Sequence, residues 1–415
     1  MPRLVGWREA EFDLSDALAP EQRAMFSNHV ARVKFEFVRR DGWDVAAHGS
    51  GTVLDWPFTF SAKANYSLLS RRADGIASAK IPGSDWRLSA KFSWSAKDGW
   101  TAEVHVPETR FDERDAAFGA FVARLAADAA VTNLAFSGMV FLDAEASATN
   151  AHRVAKWKAS GLLSDFSASL AADGTPFSIG GLRLRFGASG VDDHTDLAPL
   201  FPRAKSVEAA GVALSNVFAS VRATETAWLV TEAGADVCGG TARLYSLYLD
   251  PEKLSAGLTL YLDDIDTGLA LARLAGFRGS ATGRLHGKLP LRLKEGREVS
   301  FGNAYLYSAP GETGTLRMEN PELLTDSLAA TGVDAATCDN AAKALRNLDY
   351  TALSLDLRRG DGEHTLAVRL EGSATSGKTT VPVSLAVRLH GDMERLVNTG
   401  LRATGATSTK GGKQR

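Results

Sequence analysis

Apolar and polar residues alternate along most of this chain. In GSATGRLHGKLPLRLKEG, residues 279–296, Leu285, Leu289, Leu291 and Leu293 take odd positions while Arg284, His286, Lys288, Arg292 and Lys294 take even ones. Successive side chains of a strand point to opposite faces, so this segment is a strand with one dry and one wet face. The period returns in VKFEFV (33–38), LAFSGMVFL (134–142), LRLRF (182–186), ARLYSLYL (242–249), VSFGNAYLY (299–307), LSLDL (353–357), HTLAVRLEG (364–372) and VPVSLAVRL (381–389). WRLSAKFSW (86–94), AKDG and WTAEVHV (100–106) form a hairpin signature with Asp-Gly in the turn. About twenty strands follow from such segments, at the short spacing of antiparallel structure.

Helical spacing is confined to 113–129, 266–275 and 335–348. Three short helices cannot supply regular βαβ crossovers, so they are expected to cap the sheet. The last is expected to lie across one end of the apolar face. The chain thus reads as mainly β: a long twisted antiparallel sheet curled into an elongated groove, with a few short capping helices. A soft boundary falls in LAPLFPRAK (197–205), giving an amino-terminal part (1–200), a carboxy-terminal part (205–400) and a polar, disordered tail (401–415).

Composition narrows the function. The 415 residues carry a net charge of −2, with lysine and arginine dispersed, which gives no electrostatic footprint for nucleic acid. No run of about 18 apolar residues exists to cross a bilayer as a helix, and the first residues lack the apolar core of a secretory signal. Cys238 and Cys338 are too few for a disulfide framework or a thiolate zinc site; they could pair or stay free.

Candidate chemistry is sparse. GSATSGKT (372–379) satisfies the P-loop pattern, but a P-loop needs a helix starting at its lysine, and here TVPVSLAVRL continues as a strand. Nucleotide is therefore not expected. VDDHTD (191–196) offers oxygen ligands without the fixed alternating spacing of an ion-binding loop, and reads as a turn between strands. The aspartates of LDDID (262–266) precede a short helix and read as caps. The histidines are isolated, and no HExxH, GxSxG or CxxC occurs, so neither catalysis nor a cofactor or metal has positive support. Trp86, Trp94 and Trp100 could stack on sugars, but their alternation favours packing in a core.

From about residue 205 onward the chain resembles the carboxy-terminal region of AsmA-like envelope proteins, in the YdbH branch. The stretches ATGRLHGKLPLRL, YLYSAPGETGTLRM and ALRNLDYTALSLDLRRGDGEHTLAVRLEG carry the likeness, through Gly283, Gly287, Leu289, Pro290, Leu291, Pro310, Gly311, Leu345, Tyr350, Leu353, Leu366, Leu370 and Gly372. Two features depart from the branch: Ser373-Ala374-Thr375 follows Gly372 in place of Asn-Pro, and the amino-terminal membrane anchor usual in the branch is not expected in these residues. The resemblance implies inter-membrane phospholipid transport (an older domain label reads "dicarboxylate transport"), a periplasmic location in the cell envelope, and a membrane-anchored partner or a further amino-terminal segment. It implies phospholipid acyl chains as ligand, held on Leu285, Leu289, Leu291, Leu293, Val299, Phe301, Leu353, Leu355, Leu366, Val368 and Leu370. On this reading Gly283 and Gly287 leave room beside the dry face, and Arg284, Lys288 and Arg292 face water. A structural or adhesion-type β protein is the alternative reading; a carbohydrate-active enzyme is a weaker one.

Overall fold

A computed structural model describes residues 3–13, 30–39, 42–53, 56–115, 131–149, 155–172, 175–191, 194–209, 212–224, 227–249, 255–272, 277–294, 298–322, 325–326, 332–359, 364–376 and 379–391. The 25 strands among them, numbered in chain order, form an open antiparallel sheet that does not close into a barrel. Strand makes up 77% and helix 7% of the described residues, so described helices can cover only a small part of the faces. The chain divides into two compact units, Met1–Asp173 with Ser178–Pro202, and Gly174–Phe177 with Arg203–Arg415.

In unit 1, each strand from β1 (Arg3–Asp13) to β9 (Ala155–Ala172) pairs antiparallel with the next. The expected hairpin is β6 (Arg87–Ser95) with β7 (Gly99–Asp112), where Trp94 faces Trp100. Strict alternation excludes a slip of one residue, because it would turn every apolar side chain to the wet side.

Unit 2 is less regular. β17 (Ala256–Asp266) pairs with β19 (Arg284–Lys294), which pairs with both β20 (Glu298–Phe301) and β21 (Ala304–Tyr307). β21 and β22 (Gly314–Met318) share β23 (Leu348–Arg359), followed by β24 (His364–Ser376) and β25 (Thr379–Gly391). A bulge at Asp263–Asp264, with Asp264 in the left-handed region, bends β17 before the helix.

Two of the expected helices lie among the described residues, both in unit 2 and both shorter than their periodicity suggested. α1 is Thr267–Leu271, and Asp266 caps it by accepting from the Leu269 N–H. α2 is Ala335–Leu345, capped by Asp334 through the Thr337 N–H. Leu348 belongs to β23, not to the helix, because its strand register with Ala374 wins over the helical spacing. The helix expected over 113–129 falls largely, and the tail 401–415 wholly, outside the described residues.

Candidate functional site

Registers place the small residues of unit 1 on one face. Ala47, Ala62, Ala77, Ala90, Val104, Ala144 and Ala159 lie opposite one another across β3 (Trp43–Val53), β4 (Trp56–Ser67), β5 (Arg72–Lys80), β6, β7, β8 (Val131–Ala148) and β9. At about 4.8 Å per strand this row is about 30 Å long. A second row, Val45–Ala64–Gly75–Phe92–Ala102–Ala146–Trp157, runs beside it. These residues are half-buried rather than buried, so among the described residues no second layer packs on them.

Aromatic rings in unit 1 lie over glycines of neighbouring strands. A Cβ on Gly75 would strike the Phe92 ring directly opposite, one on Gly161 would strike Phe186, and one on Gly190 would strike Trp157. The rings cover bare backbone and keep the face low. At one end of the face Phe111 packs on Phe136, Phe166 and Trp86, with ring centroids 6.2, 6.2 and 6.5 Å away. At the other end Trp94 and Trp100 are 36% and 38% exposed, which corrects their expected place in a core: with no covering layer, alternation puts them on the dry face without burying them.

The dry face of unit 2 is made of leucine. Leu258, Leu291 and Phe301 form one cross-strand row; Leu262, Gly287, Leu306, Leu355, Val368 and Val387 form another. One end of this face is closed. Leu285, Leu353, Val368 and Leu370 are 3%, 8%, 6% and 1% exposed, packed with Ile265, Leu316, Met318, Leu348 and Tyr350. Leu345 of α2, itself 1% exposed, and Ala270 and Leu271 of α1 pack on this cluster. Leu355 and Leu366 are half-buried against the edge of this cluster, and Leu289, Leu291 and Phe301 stay half-buried beyond it. Leu293 and Val299 face each other in register farther along the strand.

The space expected beside Gly283 and Gly287 is filled. A Cβ on Gly283, at φ +110°, would meet the Tyr350 hydroxyl, which donates to the Thr282 carbonyl at 2.6 Å. A Cβ on Gly287 would meet the Tyr305 carbonyl. Both glycines mark close approach rather than vacancy. Burial lifts the Tyr350 hydroxyl above the ordinary tyrosine pKa.

The wet face carries the charge. Arg292 is exposed, Lys288 lies over the Tyr305 ring at 5.4 Å, and Arg284 reaches the Asp264 carboxylate at 3.5 Å. In unit 1, depressions of about 650 and 890 Å³ are lined mainly by wet-face residues such as Lys63, Lys91, Glu103, His105 and Asp143. Among the described residues no group of three or more His, Cys, Asp or Glu side chains is arranged to hold a metal ion, and His194 pairs with Asp196 on the surface at 3.6 Å. GSATSGKT joins β24 to β25, so a strand follows it where a P-loop needs a helix.

Sequence reasoning placed every candidate lipid contact between Leu285 and Leu370 and missed the alanine rows of unit 1. Their signal was present: SAKANYS, ADGIASAK and LSAKF alternate small apolar with polar residues. Alanine and glycine draw less attention than leucine, although a row of them builds an apolar floor just as continuous.

No curated protein and no solved structure matches the chain. A family model, described as YdbH-like, intermembrane phospholipid transport protein YdbH, matches residues 149–403. The match begins well before residue 205 and takes in β9 and most of β10 (Thr175–Val191) of unit 1. It covers more than half of the sequence, and together with the open antiparallel sheet and its apolar face it shows that the chain belongs to the YdbH-like family of intermembrane phospholipid transport proteins.

Proposed function

We propose that this protein carries phospholipid by holding the acyl chains on the dry face of its sheet while the headgroups stay in water. The observation that carries this reading is an extended apolar face left half-exposed along strand after strand. Apolar surface on that scale attracts an apolar partner. In unit 2 the chains would lie on Leu289, Leu291, Leu293, Val299, Phe301, Leu355 and Leu366, while the buried Leu285, Leu353, Val368 and Leu370 form the closed end that bounds the path. In unit 1 they would lie on the alanine rows. The transfer makes and breaks no covalent bond. An intermembrane carrier works in the cell envelope; the periplasm, and a membrane-anchored partner there, belong to the proposal.

A scaffold whose dry face is only its core would behave differently under polar substitution. A carboxylate in a packed core is stranded without a partner, whereas at an open face it stays hydrated. Leu289→Asp and Leu291→Asp should therefore stay folded by circular dichroism and lose phospholipid seen by native mass spectrometry of the wild type. Arg292→Asp, on the wet face, should keep it. Unfolding of both leucine variants, or a lipid-free wild type, would favour the scaffold.

A further inference from the structure

His286 stands on the wet face of β19 between two carboxylates. Its Nδ1 lies 2.6 Å from Oδ1 of Asp263 on β17, and its Nε2 lies 3.1 Å from Oε2 of Glu312, in the turn from β21 to β22. The side chain is only 18% exposed, which limits the water available to replace either partner. A neutral imidazole has one N–H and one bare lone pair, so it can donate to only one of them. The imidazolium alone satisfies both.

Several groups surround the ring. β17 offers Asp263, Asp264 and the Asp264 N–H, which donates toward Nδ1 from 3.3 Å and can be accepted only by the neutral ring. β21 offers Tyr307, with ring centroids 6.0 Å apart, and Tyr305, which already holds Lys288. On β19 itself, Arg284 is engaged by Asp264 and by the Gly239 carbonyl. From the turn comes Glu312, whose carboxylate also accepts the Ala309 N–H at 2.9 Å. Burial pulls the His286 pKa down, but the hydrogen bonds to Asp263 and Glu312 outweigh it, so the ring holds its proton above the ordinary value of about 6.5.

The turn it grips is placed where it matters. Ser308, at its start, donates its N–H to the Leu353 carbonyl at 2.8 Å and accepts the Leu353 N–H on its hydroxyl at 2.9 Å. β22, at its end, carries Leu316 and Met318 into the covered cluster.

We infer that His286 is a pH-operated clamp: protonated, it ties the Ala309–Glu312 turn to β17 and β19; deprotonated, it lets one carboxylate go and frees that edge of the closed end. The sign follows from linkage. A group whose folded pKa is raised stabilises fully below its unfolded value of about 6.5, and the contribution is lost as pH rises through the folded pKa.

Hydrogen exchange of the full chain, read by mass spectrometry on peptides spanning 305–315, tests this without reference to lipid. After correction for the intrinsic rate, protection of the turn should fall several-fold between about pH 6 and about pH 9. His286→Gln should be as poorly protected at the lower pH as wild type is at the higher, and lose the pH dependence. Glu312→Gln should move the wild-type midpoint to lower pH. Equal corrected protection at both pH values in wild type, or an undiminished pH dependence in His286→Gln, would overturn the clamp.

Discussion

The dry face of unit 1 has alanine and glycine where that of unit 2 has leucine. In unit 1 a low floor of small side chains, with rings laid over glycines, stays half-exposed, and no described helix belongs to that unit. In unit 2 the same two-residue period raises taller side chains, and α1 and α2 settle on one end and bury it. Alternation makes a face apolar; what stands on the face decides whether it becomes core or open surface. The difference bears on the proposed function, because only the uncovered part could meet a lipid.

A pair of matched substitutions gives the sharpest contrast. Leu370→Asp puts a carboxylate into a site 1% exposed and should cost several kcal/mol, unfolding unit 2 in a thermal or denaturant melt. Ala77→Asp, at the half-exposed centre of the alanine row, should melt near wild type yet reduce bound phospholipid. Equal destabilisation by both would erase the distinction between the two faces.

Smaller in size is the effect of the cover. Leu345→Ala should lower stability by about 2–5 kcal/mol, because its side chain fills a closed cluster. Leu289→Ala, half-exposed on the same sheet, should cost about 1 kcal/mol or less. If chemical denaturation ranks them the other way, α2 is not what closes that end.

The smallest of the three contrasts is expected on the floor itself. Gly75→Val drives a side chain into the Phe92 ring and should cost about 1–3 kcal/mol. Phe92→Ala in the same chain should return part of that loss, and a double-mutant cycle would read the coupling. Strict additivity would mean that ring and glycine do not act as a couple.

Much of this architecture was legible in the sequence, and the part that was not has a common cause. The hairpin from Trp86 to Val106 and the cap at Asp266 follow from neighbours in the chain, so local chemistry sufficed. The filling of Gly283 by Tyr350 and the grip of Asp263 and Glu312 on His286 join residues that meet only once the strands are in register. Coverage is harder still to read. Leu285 and Leu289 sit on one strand and one face, yet the first is buried beneath the helical cap and the second is not. Four positions of spacing carry no sign of where a helix will land.

The rings that lie over glycines have a consequence for assembly of the sheet. Strands such as RADGIASAK and RLSAKFSWS alternate alanine with serine or charge, and a slide of two residues would keep every side chain on its proper face. Hydrophobicity alone therefore hardly distinguishes one alignment from the next. Phe92 does, because only glycine opposite leaves room for its ring to lie down; Phe60 facing Gly49 and Phe218 facing Gly234 set the same condition on other strand pairs. Each such couple acts as a dowel between two boards, fixing how far one strand may slide along its neighbour.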